Sequence, residues 1–136
     1  MPSAPRAAPE DGNGRDGVID RATLDELTGG DRDVAHVILA DYVDSLNTDL
    51  VALGSALTDA REEGVRRAAH CIKGAARTVG AHEVAELAAR LEALAATTVD
   101  DWDLLRSTAG DLDAASARVA RARAVTRHTG ASGQVP

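Results

Sequence analysis

His70 is the residue of this chain whose surroundings best fit a chemical role. At about 100° per residue in a helix, its imidazole points about 140° away from the apolar side of its segment, and we expect it to face solvent. A neutral imidazole nitrogen in that position is an available nucleophile. The apolar residues recur at three- and four-residue steps, and they are Val65, Ala69, Ile72, Ala76 and Val79.

Three cations are expected on the same exposed side of this helix. Lys73 lies at about 80°, Arg66 at about 100° and Arg77 at about 120° from the apolar centre. Such neighbours favour the neutral imidazole and would stabilise an incoming phosphoryl group. The arrangement therefore suits phosphoryl transfer, although arginines on a solvated face would look the same for Arg66 and Arg77.

Gly74 follows His70 by one helical turn and removes a side chain beside the imidazole. A glycine inside a helix costs roughly 1 kcal/mol relative to alanine, so its presence needs a reason. One reason is close approach by a partner or by a bulky covalent group. The other is close packing of this helix against a neighbouring one.

Three separated blocks of the sequence together resemble a known family. They are His70-Cys-Ile-Lys-Gly74, Val79-Gly-Ala81 and Leu91-Glu92. This pattern is similar to the signature of the histidine-containing phosphotransfer (Hpt) domain, in which H-x-x-K-G on one helix precedes a Gly-Ala turn and a Leu-Glu pair on the next. The resemblance extends from near Val18 to near Ala124.

The resemblance implies a role for each residue of these blocks. His70 would be the phosphorylated residue, Lys73 would support the phosphoryl group, and Gly74 would leave room for a receiver domain. Glu92 would orient the other imidazole nitrogen. Helix geometry agrees independently, because residues about ten before and about twelve after a hairpin turn at Gly80 lie at nearly the same height.

The resemblance also implies a phosphorelay function, in which the chain carries a phosphoryl group between receiver-domain aspartates of a two-component system. The partners would be a response-regulator receiver domain, a histidine kinase, or both. The receiver would contribute the divalent cation, and we expect no cofactor on this chain. Apolar residues near the histidine, Leu24 and Leu27, are predicted to supply the docking surface.

The sequence leaves two alternatives to the phosphorelay function open. The chain could be a non-catalytic helical adaptor that binds a receiver without using the histidine, or a phosphoacceptor domain cut from a larger histidine kinase. No glycine-rich loop or P-loop lysine is present to hold ATP, so we expect no autonomous kinase activity.

Composition limits the remaining possibilities. The 136 residues carry a net charge of -7 and only 1% aromatic residues, which argues against nucleic acid as a partner and favours a helical core of Ala, Leu and Val. The single cysteine, Cys71, fits a reducing compartment and is predicted to be half-buried. Without an apolar run of about 18 residues or a signal core, the chain is predicted to be a cytoplasmic monomer that does not bind membranes.

Apolar periodicity and cap residues predict an all-α protein, an antiparallel up-down-up-down four-helix bundle with a short additional N-terminal helix. The bundle is predicted to occupy residues 18–125, between disordered tails at 1–17 and 126–136. Candidate caps are Asp20 or Thr23 for the short helix, Asp31 or Asp33 for the next, and Asp100 or Asp101 for the last. A short helix is predicted through Leu24 and Leu27, and a long one follows to about Asp59 with Val34, Leu50 and Leu57 in its apolar stripe. The third predicted helix is Glu62–Val79, and the fourth ends at Thr97-Thr98-Val99. The last is predicted to bury Trp102 and to fray beyond Ala124.

Overall fold

The computed structural model describes the backbone of residues 18–97 and 100–133, and the side chains of these ranges up to residue 123. The described residues form helices and no strand, which confirms the all-α prediction. The five helices are α1 (Arg21–Thr28), α2 (Arg32–Thr58), α3 (Glu62–Val79), α4 (His82–Thr97) and α5 (Trp102–Gly133).

Short polar side chains begin three of these helices, as the sequence suggests. The Asp20 carboxylate accepts a hydrogen bond from the Ala22 amide at the start of α1, and the Asp31 carboxylate accepts from two amides at the start of α2. Asp101 accepts from the Leu104 amide in the first turn of α5. Each of these carboxylates satisfies amides that have no partner inside the helix.

The four long helices enclose one core. Helices α2 and α3, α3 and α4, and α4 and α5 pack against each other in sequence, and α2 also packs against α5, so the bundle is closed. Much of the core is alanine, which lets the helices approach closely. The largest side chains that are almost completely buried are Leu53, Ile72, Leu91, Leu105, Leu112, Val65 and Val84.

Some residues of the predicted apolar stripes are less buried than expected. Val34, in the first turn of α2, is 41% exposed, because the stripe continues past the point where neighbouring helices cover it. Leu50 and Trp102 are half-buried and pack at the edge of the core. The prediction for Cys71 is also wrong, because this cysteine is exposed on α3.

Helix α5 continues to Gly133, whereas the sequence predicts fraying beyond Ala124 and a tail from residue 126. Residues 124–133 contain two threonines, two glycines and a serine, which have low helix propensity, so the local sequence does not explain this continuation. The predicted N-terminal tail, residues 1–17, lies outside the described residues.

The start of helix α1 is hydrogen-bonded to the turn between α3 and α4 at Gly80. The Asp20 amide donates to the Gly80 carbonyl at 2.8 Å, and Asp20 Oδ2 lies 3.2 Å from Nε2 of His82. Hydrogen bonds from Thr23 and then from His82 hold the pKa of Asp20 below its ordinary value. A Cβ at Gly80 would lie 3.0 Å from the Asp20 carbonyl oxygen and 3.0 Å from Cβ of Thr23.

Gly80→Ala is therefore expected to destabilise the protein more than Gly29→Ala. Both glycines have left-handed backbones, with φ of 86° and 68°, and each substitution should cost about 1–2 kcal/mol for that conformation. Only Gly80 has neighbours that an added Cβ would press against, since Gly29 has open space within 4 Å. Urea unfolding of both variants measures the difference, and equal losses would contradict the close approach at Gly80.

Candidate functional site

The imidazole of His70 stands on the surface in the middle of α3 and is held from one side. Its side chain is 65% exposed, and Nδ1 lies 2.9 Å from Oε2 of Glu92 on α4. This contact between His70 and Glu92 is the one that the geometry of a helical hairpin predicts. Because a carboxylate accepts hydrogen bonds, this contact favours the tautomer with a proton on Nδ1 and a free lone pair on Nε2.

Glu92 also binds Lys73, a contact that helix periodicity does not predict. Lys73 Nζ lies 2.6 Å from Oε1 of Glu92, and the two side chains are each 20% exposed. The carboxylate therefore bridges the imidazole and the ammonium with separate oxygens. The hydrogen bond from Lys73, and after it the one from His70, holds the pKa of Glu92 below its ordinary value of 4.5.

A titration of Glu92 by NMR should show that Lys73 lowers the pKa of this carboxyl more than His70 does. In Lys73→Ala the pKa of Glu92 is expected to rise more than in His70→Gln, because the lysine is the stronger cause of the shift. A depressed pKa in the folded state adds stability above the unfolded-state pKa, and that stability is lost as pH falls through the folded-state pKa. An unchanged midpoint in Lys73→Ala would contradict the ion pair.

Arg66 lies one turn before His70 and is bound by a carboxylate of its own helix. Its Nε and Nη2 donate to the two oxygens of Glu63 at 3.1 and 2.6 Å, and Arg67 lies 3.6 Å from the same carboxylate. Glu63, and to a smaller extent the nearby Glu92, raises the pKa of Arg66. Arg77 is exposed and forms no ion pair with any described residue.

Gly74 faces open space on the exposed side of α3. A Cβ added there would meet no heavy atom within 4 Å outside its own stretch of helix. The hydroxyl of Thr78 donates to the Gly74 carbonyl at 3.1 Å, within the same helix. Of the two reasons considered for this glycine, close helix packing receives no support from these surroundings.

The family model described as the Hpt domain matches residues 37–124, which is more than half of the chain and includes the whole His70 site. The chain belongs to the Hpt domain family. No curated protein and no solved structure matches it. Hpt domains have a phosphotransfer role in two-component signalling, where they interact with receiver domains and kinases.

The matched part of this Hpt domain excludes α1, and α1 also corrects one prediction about docking. Leu24 is only 7% exposed and belongs to the core, whereas Leu27 is 42% exposed. Helix α1 packs against α2 and α3 with Leu24 on its inner side, so Leu24 is not a docking residue. Asp20, at the start of α1, meets Gly80, which is about 15 Å along α3 from His70 at 1.5 Å per residue.

A cleft of about 360 Å³ lies at the α1 end of the Hpt domain, away from His70. Apolar residues and charges of both signs line it, including Arg123, whose Nε is buried without a hydrogen-bond partner, and Asp25. None of the residues around His70 reaches this cleft. Its mixed charges do not select a class of ligand.

No helix within residues 18–97 and 100–133 is both long enough and apolar enough to cross a bilayer.

Proposed function

We propose that this Hpt domain relays a phosphoryl group between receiver-domain aspartates through His70. The observation that carries the proposal is the exposed imidazole whose Nδ1 is held by Glu92. Nε2 attacks the phosphorus of an aspartyl phosphate, the N–P bond forms, and the P–O bond to the aspartate breaks. The electron pair of that bond returns to the aspartate carboxylate, and transfer to the next receiver reverses these steps.

Glu92 and Lys73 act on the charges that this step creates. The ring becomes cationic when Nε2 takes the phosphoryl group while Nδ1 keeps its proton, and the Glu92 carboxylate at 2.9 Å stabilises that cation. Lys73 has three N–H donors, and the contact with Oε1 of Glu92 occupies only one of them. The others serve the phosphoryl oxygens, so most of the catalysis is positioning and charge stabilisation.

The partner supplies the remaining components of the reaction. An acidic receiver pocket with a divalent cation complements the cations beside His70, of which Arg77 has no ion-pair partner among the described residues. Gly74 leaves space for the receiver backbone, and the exposed Leu27 is an apolar side chain available for docking. In this proposal the domain is a cytoplasmic monomer with no cofactor of its own.

Incubation with a phosphorylated receiver domain tests the proposal. The purified chain is mixed with a receiver that carries a labelled phosphoryl group, and the label on the chain is measured over time. We expect label that is lost in acid and stable in base, as phosphohistidine is, and no label from ATP alone. A chain that binds the receiver without taking label would be the non-catalytic adaptor.

A further inference from the structure

The Glu63–Arg66 pair lies at the edge of the His70 site and is more than a solvated charge pair. Glu63 takes the Nε and Nη2 edge of the guanidinium through both of its oxygens. This is the edge that Arg uses for two-point binding of carboxylate or phosphate. While Glu63 holds it, Arg66 cannot bind a phosphoryl group in the same way.

Arg66 is close enough to the imidazole for that restriction to affect the site. Residues four apart on a helix have Cβ atoms about 5–6 Å apart on one face, which places Arg66 beside His70. Glu92, which holds the imidazole, also contributes to the raised pKa of Arg66. Glu63 itself is seven residues before His70, about 10 Å along the helix.

We propose that Glu63 is a positioning residue that competes with phosphorylated His70 for the Arg66 guanidinium. The inference rests on the proposed function, because it requires a phosphoryl group on Nε2. Such a group offers three acceptor oxygens and a charge of about -1.5 to -2 if it resembles other protein phosphates, against a single negative charge on Glu63. Arg66 exchanges one anion for the other, and no covalent bond changes in this exchange.

The competition sets how tightly the domain holds its phosphoryl group. With Glu63 present, a phosphoryl group that binds the Nε and Nη2 edge of Arg66 must first break two hydrogen bonds. Phosphohistidine is therefore less favoured than it would be beside a free arginine. A relay benefits from this, since a phosphoryl group that is bound too firmly would not pass to the next receiver.

The exchange equilibrium between phosphorylated receiver and His70 tests this inference. Glu63→Gln is expected to shift the equilibrium towards phosphorylated His70 by about two- to five-fold, the effect of one exposed ion pair. In an Arg66→Gln background the same substitution should give no shift, because the guanidinium that it releases is absent. The fraction of label on each protein at equilibrium gives the equilibrium constant for phosphoryl exchange. Melting curves show whether each variant is folded.

Glu62→Gln is the matched control for charge. Glu62 lies in the same first turn of α3 and forms no ion pair with the described residues, and its charge makes the smallest contribution to the raised pKa of Arg66. Its replacement removes the same charge from the same end of the helix without releasing the guanidinium edge. It should shift the equilibrium clearly less than Glu63→Gln does. A shift as large as that of Glu63→Gln, or a Glu63→Gln shift that persists without Arg66, would overturn the inference.

The outcomes also separate this inference from the proposed function. Absence of label on the wild-type domain would refute both. Label on the wild type with the same equilibrium constant in Glu63→Gln would refute the competition alone and leave the relay function standing.

Discussion

His70→Gln is expected to abolish acid-labile, base-stable phosphorylation of the domain by a phosphorylated receiver. Glutamine keeps an amide that can donate to Glu92, but it has no ring nitrogen with a nucleophilic lone pair. The variant should fold normally, because the His70 side chain is 65% exposed and its packing contribution is small. Transfer of label from a receiver, followed to completion, measures the loss.

His82→Gln is the control for this experiment. His82 is also exposed and also lies beside a carboxylate, with Nε2 3.2 Å from Asp20, but it stands at the start of α4 near the Gly80 turn. It should accept no phosphoryl group, and its substitution should leave labelling intact. If His70→Gln is still fully labelled and the label disappears when His82 is also replaced, the phosphorylated residue is His82, and the assignment to His70 is refuted.

Helix boundaries could be predicted well where capping chemistry and apolar periodicity agree. Helix α3 spans Glu62–Val79 as predicted, because its apolar stripe is regular and Gly80 supplies the left-handed backbone that ends it. The end of α5 could not be located in the same way. Its last turns lack an apolar stripe and contain Thr, Ser and Gly residues of low helix propensity, which favour an earlier end than Gly133.

The site could be predicted as far as backbone geometry determines it. The height match across the hairpin brings Glu92 to His70, and this follows from helix rise alone. The binding of Lys73 by Glu92 depends on side-chain rotamers, which periodicity does not specify. An available signal was that Lys73 lies about 60° from His70 on the wheel, which places both within reach of one carboxylate on a neighbouring helix.

Tertiary packing decides between residues that look equivalent in the sequence. Leu24 and Leu27 are three positions apart on a helix of eight residues, and the local pattern treats them alike. Contact with α2 and α3 buries the first and leaves the second exposed. Such a short helix has no apolar stripe long enough to indicate which side faces the bundle.

Gly74→Leu is expected to separate stability from function. Leucine has a higher helix propensity than glycine, and a Cβ added at Gly74 meets no heavy atom within 4 Å. The variant should therefore be as stable as the wild type or more stable by up to about 1 kcal/mol. Phosphotransfer should fall by about 100-fold, the loss that a 1 Å misplacement of reacting groups can cause.

Gly110→Leu provides the control for this last expectation. Gly110 is also a helical glycine with no heavy atom within 4 Å of an added Cβ, but it lies on α5, across the bundle from α3. It should gain similar stability and keep full transfer activity, because the receiver does not approach that face. Thermal melts and single-turnover transfer assays on both variants decide the matter. A clearly destabilised Gly74→Leu would mean that this face of α3 packs against protein instead of solvent, and equal transfer by both variants would mean that the receiver does not come close to Gly74.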